Sequence, residues 1–321
     1  MRCCYHIQTH RSPAQVERLV ATIKRYSPDS VIHISHDLHG ARLDVEALES
    51  HSDTHVEFHP GGYGDYSHID RYLAGVDFLD RNGIDVDWFV NITGQDYPLV
   101  PLDHAEAELE ASGMDGFMEH WNMYGPDSHW PASRVHSRYE FQHRRLRPLS
   151  ADAKRRLRPI QAVNRLQPFV RVHVAYGLVV GRRAESPFGP DKDLQLHGGS
   201  AFSSLRRPVV TMLRDRLAAR PEVVEYFRHT LSPVEAVFQT VLCSSPEYRS
   251  GELRLDPDCK RYFDFSETEL NHPKDLTEED LAPAIASGAH FARKFDFERR
   301  PELMDILDRH LEQLHRSTPG T

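Results

Sequence analysis

The chain has 321 residues, 39% hydrophobic and 27% charged, with a formal net charge of −9. This is ordinary globular usage, enough to bury a full core, and it excludes disorder as the main state. The longest apolar runs, such as 176–180, stop far short of the ~20 residues of a membrane-crossing helix. The acidic total, with no nucleic-acid module in view, argues against a nucleic-acid partner.

Residues 3–8 read as a strand. Ser12-Pro13-Ala14-Gln15 predicts a helix start, with Ser as N-cap, Pro in the first turn and Gln in the capping-box position. Val16, Leu19, Val20 and Ile23 supply its apolar stripe. Residues 30–35 form the next strand, a short helix falls near 43–49, and 55–58 is a third strand. Gly61-Gly62-Tyr63-Gly64 breaks the chain, and Asp65 or Ser67 caps a helix running to about Arg81. Residues 88–92 are a buried strand. Such alternation predicts a Rossmann-type α/β fold, a mostly parallel sheet flanked by helices. Ligands then sit at the carboxyl ends of the strands. That gathers Gln8, Thr9 and His10, Ser35, His36 and Asp37, and residues 91–98 around one cleft.

The second half is less regular. Residues 117–130, aromatic and polar, suggest a loop-rich wall, and 172–180 a strand. Helices are expected at 208–217 and 222–228, from Ser232 through Leu242, from Thr277 to about Ala286, and over 301–314. No low-complexity linker divides the halves. The expectation is one domain over 1–321, with a nucleotide-binding part at about 1–100 and an acceptor and catalytic part at about 101–321.

Four cysteines make neither a disulfide framework nor a zinc spacing, so buried thiols are expected. His33, His36 and His39 fall three residues apart, a spacing that leaves a ligand cluster open. The first residues show neither the apolar region nor the cleavage site of a signal peptide, and a soluble, cytoplasmic protein is expected. Charge is uneven: residues 144–183 hold eleven Lys/Arg and one acid, a local +10 that leaves −19 elsewhere. That stretch is either a solvated helix with its flanks or a surface for an anionic ligand.

Four motifs then fall in a recognisable order. Asn91-Ile92-Thr93-Gly94-Gln95-Asp96-Tyr97-Pro98-Leu99 resembles the N-L-S-G-Q-D-Y-P-L signature of the core-2/I-branching glycosyltransferase family. That family contains β-1,6-N-acetylglucosaminyltransferases and peptide O-xylosyltransferases. Gly199-Ser200-Ala201-Phe202, then Ser232-Pro233-Val234-Glu235 with Phe238-Gln239-Thr240, then Phe291-Ala292-Arg293-Lys294-Phe295 resemble its later segments. His272-Pro273 before Leu276 fits the stretch upstream of the last. The resemblance spans roughly 5–307.

The resemblance implies a GT-A-like fold and an inverting, metal-independent transfer. The sugar, N-acetylglucosamine first and xylose second, would pass from a UDP-sugar to a hydroxyl of a carbohydrate or glycoconjugate. The UDP-sugar is a co-substrate, and no cofactor is implied. Val234 stands where the family often has Asp, which leaves an alternative open: a non-catalytic UDP-sugar or carbohydrate-binding protein on the same fold.

Inverting transfer needs a base for the acceptor hydroxyl and stabilisation of the charge on departing UDP. Three D-x-D triplets exist, Asp85/Asp87, Asp191/Asp193 and Asp256/Asp258. The first lies at the wrong end of its strand and the others in Pro-containing turns, so all read as loop acids. A cationic clamp must then replace a metal. The resemblance assigns it to Lys294 on the diphosphate, with Arg293 in support, one of the pair facing the ligand. It makes Glu235 the base, although Ser-x-x-Glu is equally a capping box. It places Asp37 at the nucleoside, and Gln8 and Thr9 share that strand-end edge. Gly94, Gln95, Asp96, Gly199 and Ser200 are sugar-site candidates. Glu119, Trp121, Arg138 and Phe265 are acceptor-site candidates.

Overall fold

A computed structural model describes residues 1–166, 168–189, 191–266 and 273–317. The order opens with β1 (Cys3–Thr9), α1 (Pro13–Tyr26), β2 (Val31–Asp37), α2 (Val45–Glu49), β3 (Thr54–His59), α3 (Ser67–Arg81) and β4 (Trp88–Thr93). Next come β5 (Asp96–Pro98), α4 (Leu102–Ala111), β6 (Gly116–Met118), β7 (Trp121–Asn122), α5 (Ala132–Tyr139), β8 (Phe141–Arg147) and α6 (Ala151–Leu157). After a 3₁₀ segment, Arg158–Arg165, follow β9 (Val170–His173), β10 (Leu178–Arg183), β11 (His197–Gly198), β12 (Ser203–Arg206), α7 (Arg207–Ala218) and α8 (Pro221–Arg228). A 3₁₀ turn, Pro233–Glu235, precedes α9 (Val237–Cys243), α10 (Pro246–Ser250), β13 (Leu255–Asp256), β14 (Arg261–Phe263), α11 (Glu278–Ala286), β15 (Phe291–Arg293) and α12 (Glu302–Ser317).

Seven strands form the main sheet in the order β13-β6-β12-β4-β1-β2-β3. Strands β4, β1, β2 and β3 are parallel, and β12 runs antiparallel between β4 and β6. This is the mostly parallel, helix-flanked α/β architecture expected. Central β1 is buried along its whole length, because helices cover both faces and no polar alternation is needed. Successive residues still diverge. Cys3, Tyr5 and Ile7 pack with α1 and α12, while Cys4 packs with α3 and α7. All four cysteines are buried and free.

A small sheet, β14-β15-β5, positions the site. It sets Arg293 opposite Asp96 across almost 200 residues of chain. Gln15 of α1 reinforces this join. Its amide donates to Phe295 O at 3.2 Å and accepts from Phe297 N at 3.0 Å. The capping box expected at Ser12 therefore does not form: Gln15 is spent on tertiary contacts, and Ser12, at φ 52°, makes no side-chain cap.

Several expectations need correction. Residues 172–180 are parts of two antiparallel strands, β9 and β10, because Gly177 takes φ 95° and turns the chain. Residues 117–130 are not merely a wall. Phe117 and Met118 are core, since β6 pairs with both β12 and β13. Asp256 sits on strand β13 rather than in a turn. His33, His36 and His39 do not converge: His33 meets His6 and Glu57, His36 bonds Ala41 O, and His39 is exposed. His272 lies outside the described residues.

Candidate active site

A cleft of about 410 Å³ opens at the carboxyl ends of β1 and β4, where a doubly wound sheet places its ligands. One wall carries Gln8 and Thr9 with His10 and Arg11, then Thr93, Gly94 and Gln95. His68 and Arg71 of α3 close its base, and Arg293 and Lys294 follow from the small sheet. Arg138, Tyr176, Ser232, Val234 and Glu235 complete the lining, with Arg138 in contact with both Tyr176 and Glu235. Five cationic side chains thus line it against a single carboxylate, Glu235, among the described residues.

Glu235 is positioned by an unusual entry to α9. Ser232 adopts φ 51° with no side-chain cap, and its hydroxyl bonds the Tyr176 hydroxyl at 2.7 Å. The capping alternative is thereby removed. The Glu235 carboxylate, about a third exposed, turns instead to Arg138 Nη1 at 2.6 Å. Arg138 also donates to Tyr176 Oη at 3.2 Å and lies 5.0 Å over the Trp130 ring. Burial opposes its charge, but Glu235, Tyr176 and Tyr139 outweigh burial and raise its pKa further.

Gly199 supports this arrangement without lining the cleft. Its amide donates to Glu235 O at 3.0 Å, and an added Cβ would lie 1.7 Å from Glu119 O. Only glycine lets these backbones approach so closely. Ser200 O is held by Gln239 Nε2 at 2.7 Å, and neither motif residue lines the cleft.

At the other end both members of the Arg293–Lys294 pair face the cleft, against the expectation that one would. Arg293 Nε lies 3.2 Å from Asp96 Oδ1, and its guanidinium stacks 4.4 Å from the Phe202 ring centroid. Burial draws its pKa below the usual guanidinium range, with Asp96 opposing. Lys294 Nζ lies 3.2 Å from Asp275 and is a quarter exposed. Asp96 itself is fully buried and accepts from Thr93 N at 2.9 Å and Thr93 Oγ1 at 3.0 Å. It locks the loop and does not reach the cleft. Gly94 and Gln95 do; a Cβ on Gly94 would meet Thr9 Oγ1 at 2.7 Å.

Other expected residues fall outside the cleft lining. Asp37 accepts from the amides of His39 and Gly61. Burial works against its charge, but those two amides hold its carboxyl below the usual range. Glu119 is raised by burial, with His129 opposing, and sits behind Gly199. Trp121 stacks on His129 at 4.4 Å. Phe265 is 54% exposed and touches the lining through Phe263, which packs on Phe202. No acid of the three D-x-D triplets lines the cleft. Among the described residues, the one cluster spaced to share an ion, Asp103, His104 and His315, does not line it either.

Sequence reasoning missed Arg71, His68, Arg11, Tyr63 and Tyr176. Arg71 is buried and donates to Thr9 O at 3.0 Å and Ser35 Oγ at 3.0 Å. Burial brings its pKa down to about 10, with Asp37 opposing, so it stays cationic at neutral pH.

A family model described as Core-2/I-Branching enzyme matches residues 31–286. The chain belongs to that family. Two relatives from Arabidopsis thaliana are named beta-glucuronosyltransferase GlcAT14A and GlcAT14B. They are each 28% identical, over 250 and 260 residues, which is 77% of this chain and 47% and 50% of theirs. Xylosyltransferase 2 of Rattus norvegicus is 25% identical over an alignment of 341 residues, covering 100% of this chain and 35% of that protein. The chain spans about half the length of the first two and about a third of the last.

Proposed function

We propose that the chain is an inverting, metal-independent glycosyltransferase that moves a sugar from a UDP-sugar to an acceptor hydroxyl. The observation that carries this reading is the cleft lining: five cations and, among the described residues, one carboxylate, Glu235, which Arg138 holds. The acceptor oxygen attacks the anomeric carbon as its proton passes to Glu235. The bond from that carbon to the phosphate oxygen breaks, and its electron pair leaves with UDP. Lys294 and Arg293 offset the charge that develops there. Arg138 holds the Glu235 carboxylate in one orientation, so the base does not have to be ordered during the reaction.

For the donor sugar, the relatives' names favour glucuronic acid or xylose over the N-acetylglucosamine suggested by the motifs. Glucuronic acid carries its own carboxylate, which suits the surplus of cations in the cleft. We therefore rank UDP-glucuronic acid first. The test is a screen for UDP release across UDP-sugars and oligosaccharide acceptors, with EDTA present throughout. The expected outcome is acceptor-dependent release, greatest with UDP-glucuronic acid. UDP binding without release from any pair would favour the non-catalytic alternative.

A further inference from the structure

Apart from Tyr176, no described residue of the basic stretch 144–183 lines the cleft. The stretch folds into β8, α6, the 3₁₀ segment Arg158–Arg165, β9 and β10, and carries +10 in a chain of net −9. Of the twelve large hydrophobic side chains exposed among the described residues, six fall within these forty residues. They are Leu146, Ile160, Val163, Leu166, Phe169 and Val170.

Their placement is ordered. A 3₁₀ helix repeats every three residues, so positions i and i+3 lie over one another. Ile160, Val163 and Leu166 therefore form one stripe, at 49%, 37% and 82% exposure. No residue of the segment is buried. Arg155, Arg156, Arg158 and Arg165 are exposed around it. The segment is pinned: Asn164 bonds Val172 through both its amide atoms at 2.8 and 2.9 Å, and Arg171 donates to Asn164 O.

We propose that this lobe docks the chain on an anionic lipid bilayer. A soluble polyanion would satisfy the arginines and leave Leu166 in water. A bilayer surface takes both, with the apolar stripe at the acyl boundary and the cations among the headgroups. The lobe also adjoins the cleft. Tyr176, in the turn between β9 and β10, lines it, and Lys154 lies 5.0 Å over the ring of Tyr63, which lines it too. Docking would hold the cleft beside the membrane surface.

Vesicle flotation of the full chain tests this without turnover, so its outcome is independent of the proposed activity. Phosphatidylcholine vesicles are compared with vesicles containing about one-third phosphatidylglycerol. Binding is expected to the anionic vesicles alone, falling as salt rises. Ile160→Ser with Leu166→Ser should weaken it more than about tenfold, while retention on dextran sulfate stays unchanged. Arg155→Gln with Arg156→Gln should weaken it on the order of thirtyfold. Both changes lie on exposed positions, and circular dichroism checks that the fold persists. Absence of vesicle binding, retention on dextran sulfate alone, or undiminished vesicle binding by the Ile160/Leu166 variant would each overturn the proposal.

Discussion

At Glu235, function and local conformation are tied to the same few contacts. The carboxylate does not cap the helix entry: the Ser232 amide donates to Gly64 O, its hydroxyl bonds Tyr176, and Glu235 pairs with Arg138. Glu235→Gln keeps the size and the approach to Arg138 but cannot take a proton. It should lower kcat by about a hundredfold to ten-thousandfold, with UDP affinity unchanged by titration calorimetry; full turnover would remove Glu235 as the base. Gly199→Ala tests the brace behind it. The added methyl would meet Glu119 O, and the overpacking should cost about 2 kcal/mol of stability in urea unfolding together with loss of turnover. Ser-x-x-Glu was legible as two alternatives in the sequence. The residue that decides between them, Tyr176, lies 56 positions away, beyond any local pattern.

The pairing of β5 with β15 makes one site from two distant motifs. In register with Arg293, Asp96 turns its carboxylate inward to neutralise a buried guanidinium. Asp96→Ala should therefore destabilise the chain by about 3–5 kcal/mol, read as a lower urea midpoint. Unchanged stability would show that the pair contributes nothing. The opening strands and helices were legible because apolar runs, Gly61–Gly64 and Pro13 punctuate them strongly. Asp96, expected at the sugar, lies buried outside the cleft lining, paired with Arg293 of a strand almost 200 residues on. Arg71 was illegible for a related reason. On a helix it reads as one more polar position, and only the packing of α3 against β1 and β2 turns it toward Thr9 and Ser35.

Across the whole molecule, acidity should act through buried histidines. Burial lowers His143 to about 3, and His173 and His290 to about 4. Each binds a proton more readily when unfolded, at about pH 6.5. Their stabilisation is thus complete above about pH 6.5 and declines as pH falls below it, by up to about 1.4 kcal/mol per pH unit for each. Urea midpoints at pH 7 and pH 5 check this, and an equal midpoint at both would contradict it. The molecule's larger pattern is the segregation of its charge, with cations gathered in the cleft while the chain as a whole is acidic. The most direct measurement of that pattern is calorimetric UDP affinity for the native chain and for Lys294→Ala, each in EDTA and in excess manganese. The account predicts equal affinity with and without the metal, and a loss of about tenfold or more in the variant. Binding that vanishes in EDTA, or that is indifferent to Lys294, would contradict it.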